Sequence, residues 1–310
     1  MNQPAVAVLG CCGIGQLMST IVRRAVHQVM EQRPEAASIL SVGALIADVP
    51  GELEKAADRL LVVINGCREK CASVIAQGKG LEAATTINAL QVVGRSGISI
   101  YNQDREGLTE NGLAVAEKLA EAIVTEIDRL SGSVTPPTGA APTTCAEPTP
   151  TLLEGSAGVA RDHVCLQPCL GTTSAASMIG RQASYAARLQ LGPKRADLGC
   201  APALYANVPE DVIFVQQDYV IAIESCEKSC AARLVEMKGC AAHASVRVDE
   251  VLAREGIDVT ELPADHLPLE HPAVQAVAAE IVRVAEGLLG EGKAKTEDGK
   301  RKTVGGEAAT

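Results

Sequence analysis

Residues Ser41–Gly94 align without a gap on Cys200–Ala253, and this duplication constrains the fold more than any other feature of the chain. Ala44-Leu45, Ala47, Val49-Pro50, Ile64, Cys67, Cys71-Ala72, Lys79-Gly80 and Val92 all recur in register. A period this long excludes a solenoid of short stacked units and calls for two copies of one complete fold. In each copy an apolar β-branched run leads at once into two cysteines four residues apart. The two stretches are LVVINGCREKC from Leu61 and YVIAIESCEKSC from Tyr219.

The segments around that motif alternate between strand and helix. Ala5–Leu9 reads as a buried strand, and Gln16–Glu31 as a helix with an apolar stripe at Ile21, Val22, Ala25, Val26 and Val29. Ser38–Val42, Leu61–Ile64 and Thr85–Asn88 are further strands, and Leu108–Leu130 is a long closing helix capped by Thr109. The second half repeats the scheme from a strand at 162–166 to a closing helix at His271–Leu289. This alternation predicts an α/β fold, two tandem homologous domains, each a small mainly parallel sheet flanked by helices. The expected boundaries are 1–130 and 159–289 for the domains, 131–158 for a Pro/Ser/Thr-rich linker and 290–310 for a charged, disordered tail.

Composition narrows the function. One Phe, four Tyr and no Trp leave little with which to stack bases, and a formal charge of −10 opposes a nucleic-acid or anionic-membrane partner. No apolar stretch approaches the length of a membrane span, and no secretory signal pattern stands at the start, so the expected location is the cytoplasm. Eleven cysteines in that compartment are expected as reduced thiols or ligands rather than disulfides.

Right-handed crossovers bring every strand-to-helix loop of a parallel sheet to one edge, where open α/β sheets bind ligands. The cysteines of each copy are therefore expected to meet there: Cys11, Cys12, Cys67 and Cys71 in the first half, and Cys169, Cys200, Cys226 and Cys230 in the second. In the alignment Cys12 falls on Cys169, and Ser41 stands where the second half has Cys200. Four sulfurs suit a tetrahedral metal, zinc or the iron of an iron–sulfur cluster. The second site is then the complete one, and the first has lost a ligand unless Cys11 replaces it. Cys67/Cys71 and Cys226/Cys230 are read as pairs at helix starts, where the macrodipole favours thiolates. Cys165 and Cys240 are extras, and Cys145 lies in the linker.

Other signals are weaker. The glycine-rich turn Gly10-Cys11-Cys12-Gly13-Ile14-Gly15 departs from the dinucleotide-binding order. The histidines form no metal-binding pattern, although His163 stands close enough to Cys165 to border the second site. Arg23 and Arg181 recur on the first helix of each copy and are expected to face solvent. Thr172-Thr173-Ser174 reads as a helix-capping cluster.

These motifs resemble the DGC-domain family, bacterial and archaeal proteins named for an Asp-Gly-Cys motif. The stretches that carry the resemblance are GCCGIGQ with VRRA, INGCREKCA, CLGTTS with GRQA, LGCAPAL and IESCEKSCA. The family is described as zinc-binding through four chelating cysteines, with no assigned activity. The resemblance maps these onto Cys12, Cys67 and Cys71, and onto Cys169, Cys200, Cys226 and Cys230. The chain departs from the motif at its acidic position, which is Asn65 in one copy and Glu224 in the other, and Ser225 replaces the glycine.

The expectation is thus a metal-binding protein, zinc first, with a protein or small-molecule partner left open. The alternatives are an iron–sulfur or thiol-based redox protein and a scaffold with inert buried cysteines.

Overall fold

The computed structural model describes residues 5–132 and 161–304. The first half runs β1 (Val6–Gly10), α1 (Leu17–Gln32), β2 (Ala37–Ile39), α2 (Val42–Ile46), α3 (Glu54–Ala57), β3 (Leu60–Asn65), α4 (Cys71–Gly78), β4 (Ala83–Asn88), α5 (Ala89–Ser96) and α6 (Glu110–Ser131). The second half continues with β5 (Val164–Pro168), α7 (Ala175–Leu191), β6 (Ala196–Leu198), α8 (Ala201–Tyr205) and α9 (Pro209–Gln217). It closes with β7 (Tyr219–Glu224), α10 (Cys230–Met237), β8 (Ala244–Arg247), α11 (Val248–Arg254) and α12 (Pro272–Val304). Helix α12 thus carries on past the expected end of the closing helix. Cys145 and most of the linker segment lie outside the described residues.

Each half is a four-stranded, wholly parallel sheet, in the orders β2-β1-β3-β4 and β6-β5-β7-β8. The registers repeat as well: Gly10 pairs with Ile64 across β1 and β3, and Pro168 pairs with Ile223 across β5 and β7. Strands β1 and β5 are buried along their whole length, as a sheet covered on both faces demands.

Alternation along β1 and β3 divides the first sheet between two cores. Val6, Val8, Val62 and Ile64 face α1, α5 and α6 in a core of the first half alone. Ala7, Leu9, Leu61 and Val63 face the other way, into a core continuous with Leu166, Leu204, Tyr205 and Ile221 of the second half. The shared layer is built from short helices, with α2 against α8 and α10 and α4 against α8. Leu45, Ile46, Leu204 and Tyr205 are all buried there, and burying one such side chain is worth about 1.5–3 kcal/mol. The halves are one packed body.

The repeated Lys-Gly pair closes this layer in both copies. Lys79 is nearly buried and binds Asp48 at 2.8 and 2.9 Å. Lys238 makes the matching contact with Asn207 at 2.9 Å and reaches the Tyr205 carbonyl at 3.1 Å. Asp48 and Asn207 both hold left-handed backbone, with φ of 52° and 57°, a conformation that these two side chains tolerate better than most.

Three sequence expectations need correction. Ser41 and Val42 do not extend β2; they turn the chain into α2. Cys67 and Cys226 do not lie on helices. Lys70 and Ser229 adopt left-handed backbone (φ 52° in both) just before α4 and α10, so each first cysteine sits on a loop and only the second opens the helix. The expectation of cysteine pairs at helix starts therefore holds only for Cys71 and Cys230. Finally, Arg23 and Arg181 are buried rather than solvent-facing, 5% and 1% exposed.

A side chain at Gly43, in α2, would run into the Cys169 carbonyl oxygen across the junction, and backbone cannot step aside as a side-chain tip can. Gly43→Ala is expected to cost about 1–3 kcal/mol, read as a lower denaturant midpoint in equilibrium unfolding of the full chain.

Candidate metal and thiol centre

The two halves exchange the loops that follow their second strands. The loop after β6 carries Cys200 to the first half's glycine-rich turn, where a Cβ on Gly13 would stand 2.6 Å from the Cys200 sulfur. In return, the loop after β2 carries Ser41 to the second half's turn, where a Cβ on Gly171 would stand 3.8 Å from the Ser41 hydroxyl oxygen. The bare backbone of Gly13 leaves room for this crossing, since a Cβ there would force the Cys200 sulfur to shift. Both crossing residues are held the same way. The Cys200 N–H donates to Asp211 at 2.7 Å, and the Ser41 N–H donates to Glu52 at 2.5 Å.

The sequence-based assignment of cysteines to sites is therefore redrawn. Cys11, Cys67, Cys71 and Cys200 line one open cleft of 570 Å³ at the carboxyl edge of the first sheet. Cys11 follows β1, its N–H bonded to the Ile64 carbonyl at 2.9 Å, and Cys169 follows β5 with its N–H on Ile223 at 3.0 Å. Cys11, not Cys12, is thus the counterpart of Cys169. Cys12 points instead to the junction, where its thiol donates to the Leu170 carbonyl at 3.3 Å.

The second half gathers Cys169 and Cys226 around Cys230, whose thiol is pushed up to about 12 by burial and these neighbours, with Ser41 near Gly171. Hydroxyls replace the fourth sulfur's surroundings: Cys169 Sγ lies 3.1 Å from Ser225 Oγ, which accepts from Ser177 at 2.9 Å, and Ser177 lies 2.8 Å from Ser174. Ser174 also caps α7, as expected. Sequence reasoning missed Ser177, since a lone serine carries no spacing signal, and met Ser225 only as a departure from the motif, not as a partner of Cys169.

The remaining candidates lie elsewhere. Cys165 is buried inside β5, and the Cys240 thiol donates to the Lys238 carbonyl on the loop before β8, at the opposite edge of the sheet. His163 also precedes its strand and pairs with Asp218 at 2.8 Å. Neither cysteine nor His163 borders the second cluster.

The acidic position of the family motif has a structural task in both copies. Asn65 accepts from the Ser73 N–H at 3.1 Å and donates to its hydroxyl at 2.7 Å, and both ends of the Glu224 carboxylate accept from α10, from Ala231 at 3.2 Å and Ala232 at 2.7 Å. Each side chain satisfies free N–H groups of the first helical turn and so fixes the second cysteine of its pair.

Thiol acidity is uneven across the first cleft. The Cys71 thiol donates to Cys67, and the backbone around Glu69 and Lys70 also faces that sulfur. Together these hold Cys67 well below the usual thiol range. The bond to Cys67 and burial hold Cys71 well above it, and burial raises Cys11 and Cys200. Burial likewise lifts Asp211 to about 6. Glu69, Asp197, Glu210 and Asp211 outnumber Arg68 and Arg105 around the cleft, so its mouth attracts cations.

The donor set suits a thiophilic ion, since three or four sulfurs in a cation-attracting cleft is the chemistry such an ion selects. The spacing is open: among the described residues, no three His, Cys, Asp or Glu side chains stand close enough to share one ion as they are. Closing the set requires the sulfurs to swing between side-chain rotamers, and Cys67, on its loop, has the most freedom to do so.

In metal-free protein at neutral pH, Cys67 is expected to alkylate first under limiting iodoacetamide. Cys71→Ala should move the pH midpoint of Cys67 alkylation upward, towards the ordinary thiol range. Peptide mapping by mass spectrometry reads both.

The DGC domain profile matches the chain twice, over residues 7–111 and 165–268. No curated protein and no solved structure matches it. The two matches bracket both cysteine clusters, and the chain belongs to the DGC domain family, with two copies of the domain in tandem.

Proposed function

We propose that this chain binds a thiophilic metal ion, zinc in the first instance, through Cys11, Cys67, Cys71 and Cys200. The observation that carries the reading is the arrival of Cys200 from the second half among three cysteines of the first. A core cysteine needs no such partners, whereas four thiols from three separate strand-to-helix connections, in a cleft of negative balance, form a donor set for a soft cation. The second cluster, with Cys169, Cys226, Cys230 and the Ser41 hydroxyl, offers three thiols and is the weaker site. Cys12 is left out of both sets by its bond to Leu170.

A second reading, thiol-based redox chemistry, is favoured by one specific observation. The Cys71 thiol beside Cys67 holds Cys67 below the usual thiol range, the arrangement of an attacking sulfur beside a resolving one. An iron–sulfur group at the same sulfurs would announce itself by colour, which d¹⁰ zinc lacks.

Metal content of anaerobically purified protein separates these readings. Cys200→Ser and Cys67→Ser are each expected to remove the same single equivalent, about one ion per chain, and the double variant no more than either. Cys226→Ser should leave that equivalent in place. Full metal content in Cys200→Ser, or loss of separate equivalents in the two single variants, would overturn the shared site. A colourless, metal-free protein with freely titrating thiols would leave the redox reading.

A further inference from the structure

Thr20, Arg23 and Arg24 stand three and four positions apart on α1 and so share one helical face. With Leu108 and Leu113 at the start of α6, and Asp265 and His266 on the segment before α12, they line a pocket of 320 Å³. Both halves build it, and no cysteine lines it. Its volume falls within the range of small-molecule sites, roughly 300–1,000 Å³. The walls are braced across the junction by Gln182. That buried amide donates to the Glu106 carbonyl at 3.1 Å and to the Leu267 carbonyl at 2.6 Å.

The pocket holds more positive charge than its own residues neutralise. Arg24 pairs with Asp265, the one carboxylate among the lining residues. Arg23 donates to the Gly13 carbonyl and to the Thr20 hydroxyl, both at 3.1 Å, and among the described residues it pairs with no carboxylate. His266 is neutral at pH 7, since burial and the two arginines hold it below the usual histidine range. The chain as a whole carries a formal charge of −10, so this local excess runs against its balance. Leu108 and Leu113 add apolar wall, and Leu113 stays 41% exposed although it borders a concave site. At the matching positions of α7 the second half has Met178, Arg181 and Gln182, so the face with two adjacent arginines belongs to one copy alone.

We propose that this pocket binds a small organic monocarboxylate, its carboxylate on the Arg23–Arg24 face and its hydrocarbon part against Leu108 and Leu113. A carboxylate supplies the negative charge that the pocket lacks, and guanidinium groups are its best-matched protein partners. The hydrocarbon part takes leucine surface out of water. Inorganic phosphate would leave both leucines uncovered. The site is separate from the cysteine cleft and stands whether or not that cleft binds metal.

Butyrate is the probe, titrated calorimetrically into the full chain, where it should bind saturably at one site. Butyramide keeps the shape without the charge and should bind at least about tenfold more weakly. Acetate lacks two methylenes and should lose about tenfold. Leu113→Glu sets a like charge at the rim, in the first turn of α6 where the helix dipole favours an acidic residue. It should weaken butyrate binding at least about tenfold. Crystals soaked in bromobutyrate should show the bromine as an anomalous peak beside Leu108 and Leu113. No saturable butyrate binding to the wild type, butyramide binding as tightly as butyrate, or a bromine peak only elsewhere would overturn the proposal. Unchanged butyrate binding by Leu113→Glu would do the same. The wild-type titrations decide the matter even where the variant fails to fold.

Discussion

The crossing of two loops at the junction is the constraint on which the rest of this structure depends. Each half sends the residue after its second strand, Cys200 or Ser41, across to the other half's glycine-rich turn. That exchange is possible only because the first sheet turns one apolar face, through Ala7, Leu9, Leu61 and Val63, into a core shared with the second half. The carboxylates of Asp211 and Glu52 anchor the crossing residues by their backbone. Covalent order and spatial order therefore differ at the place where the chemistry sits.

The exchange also breaks the equality of the copies. A cysteine crosses in one direction and a serine in the other, so the first half gains a fourth sulfur that the second lacks. Around the three-sulfur cluster, Ser177 and Ser225 form a hydroxyl chain ending on Cys169. The same drift shows at the junction: Met178 for Thr20 leaves Arg181 Nε and Nη1 without partners, and Gln182 takes the place of Arg24. Duplicated positions that kept their backbone role have diverged where side chains face the partner half.

Much of the fold was legible because its signals are local. Apolar runs such as Leu61–Ile64, a periodic stripe on α1 and a register of repeated residues predict two parallel α/β units, and the two sheets follow that plan. Errors came where local pattern is silent. Nothing in the order Arg-Glu-Lys-Cys announces the left-handed Lys70 that moves Cys67 off its helix. Arg23 and Arg181 read as surface residues because long cationic side chains are rarely buried. Their burial comes from a second half packed over them.

By itself the sequence determined the two copies, the parallel sheets, and the placing of Cys11, Cys67, Cys71, Cys169, Cys226 and Cys230 at strand ends, since each follows from neighbours close in the chain. Only the tertiary structure decided which cysteines share a cleft. The alignment sets Cys200 against Ser41 and so counts it with its own half. Packing sets it beside Cys11 and Cys71, because burying a common apolar layer brings one half's loop over the other's turn.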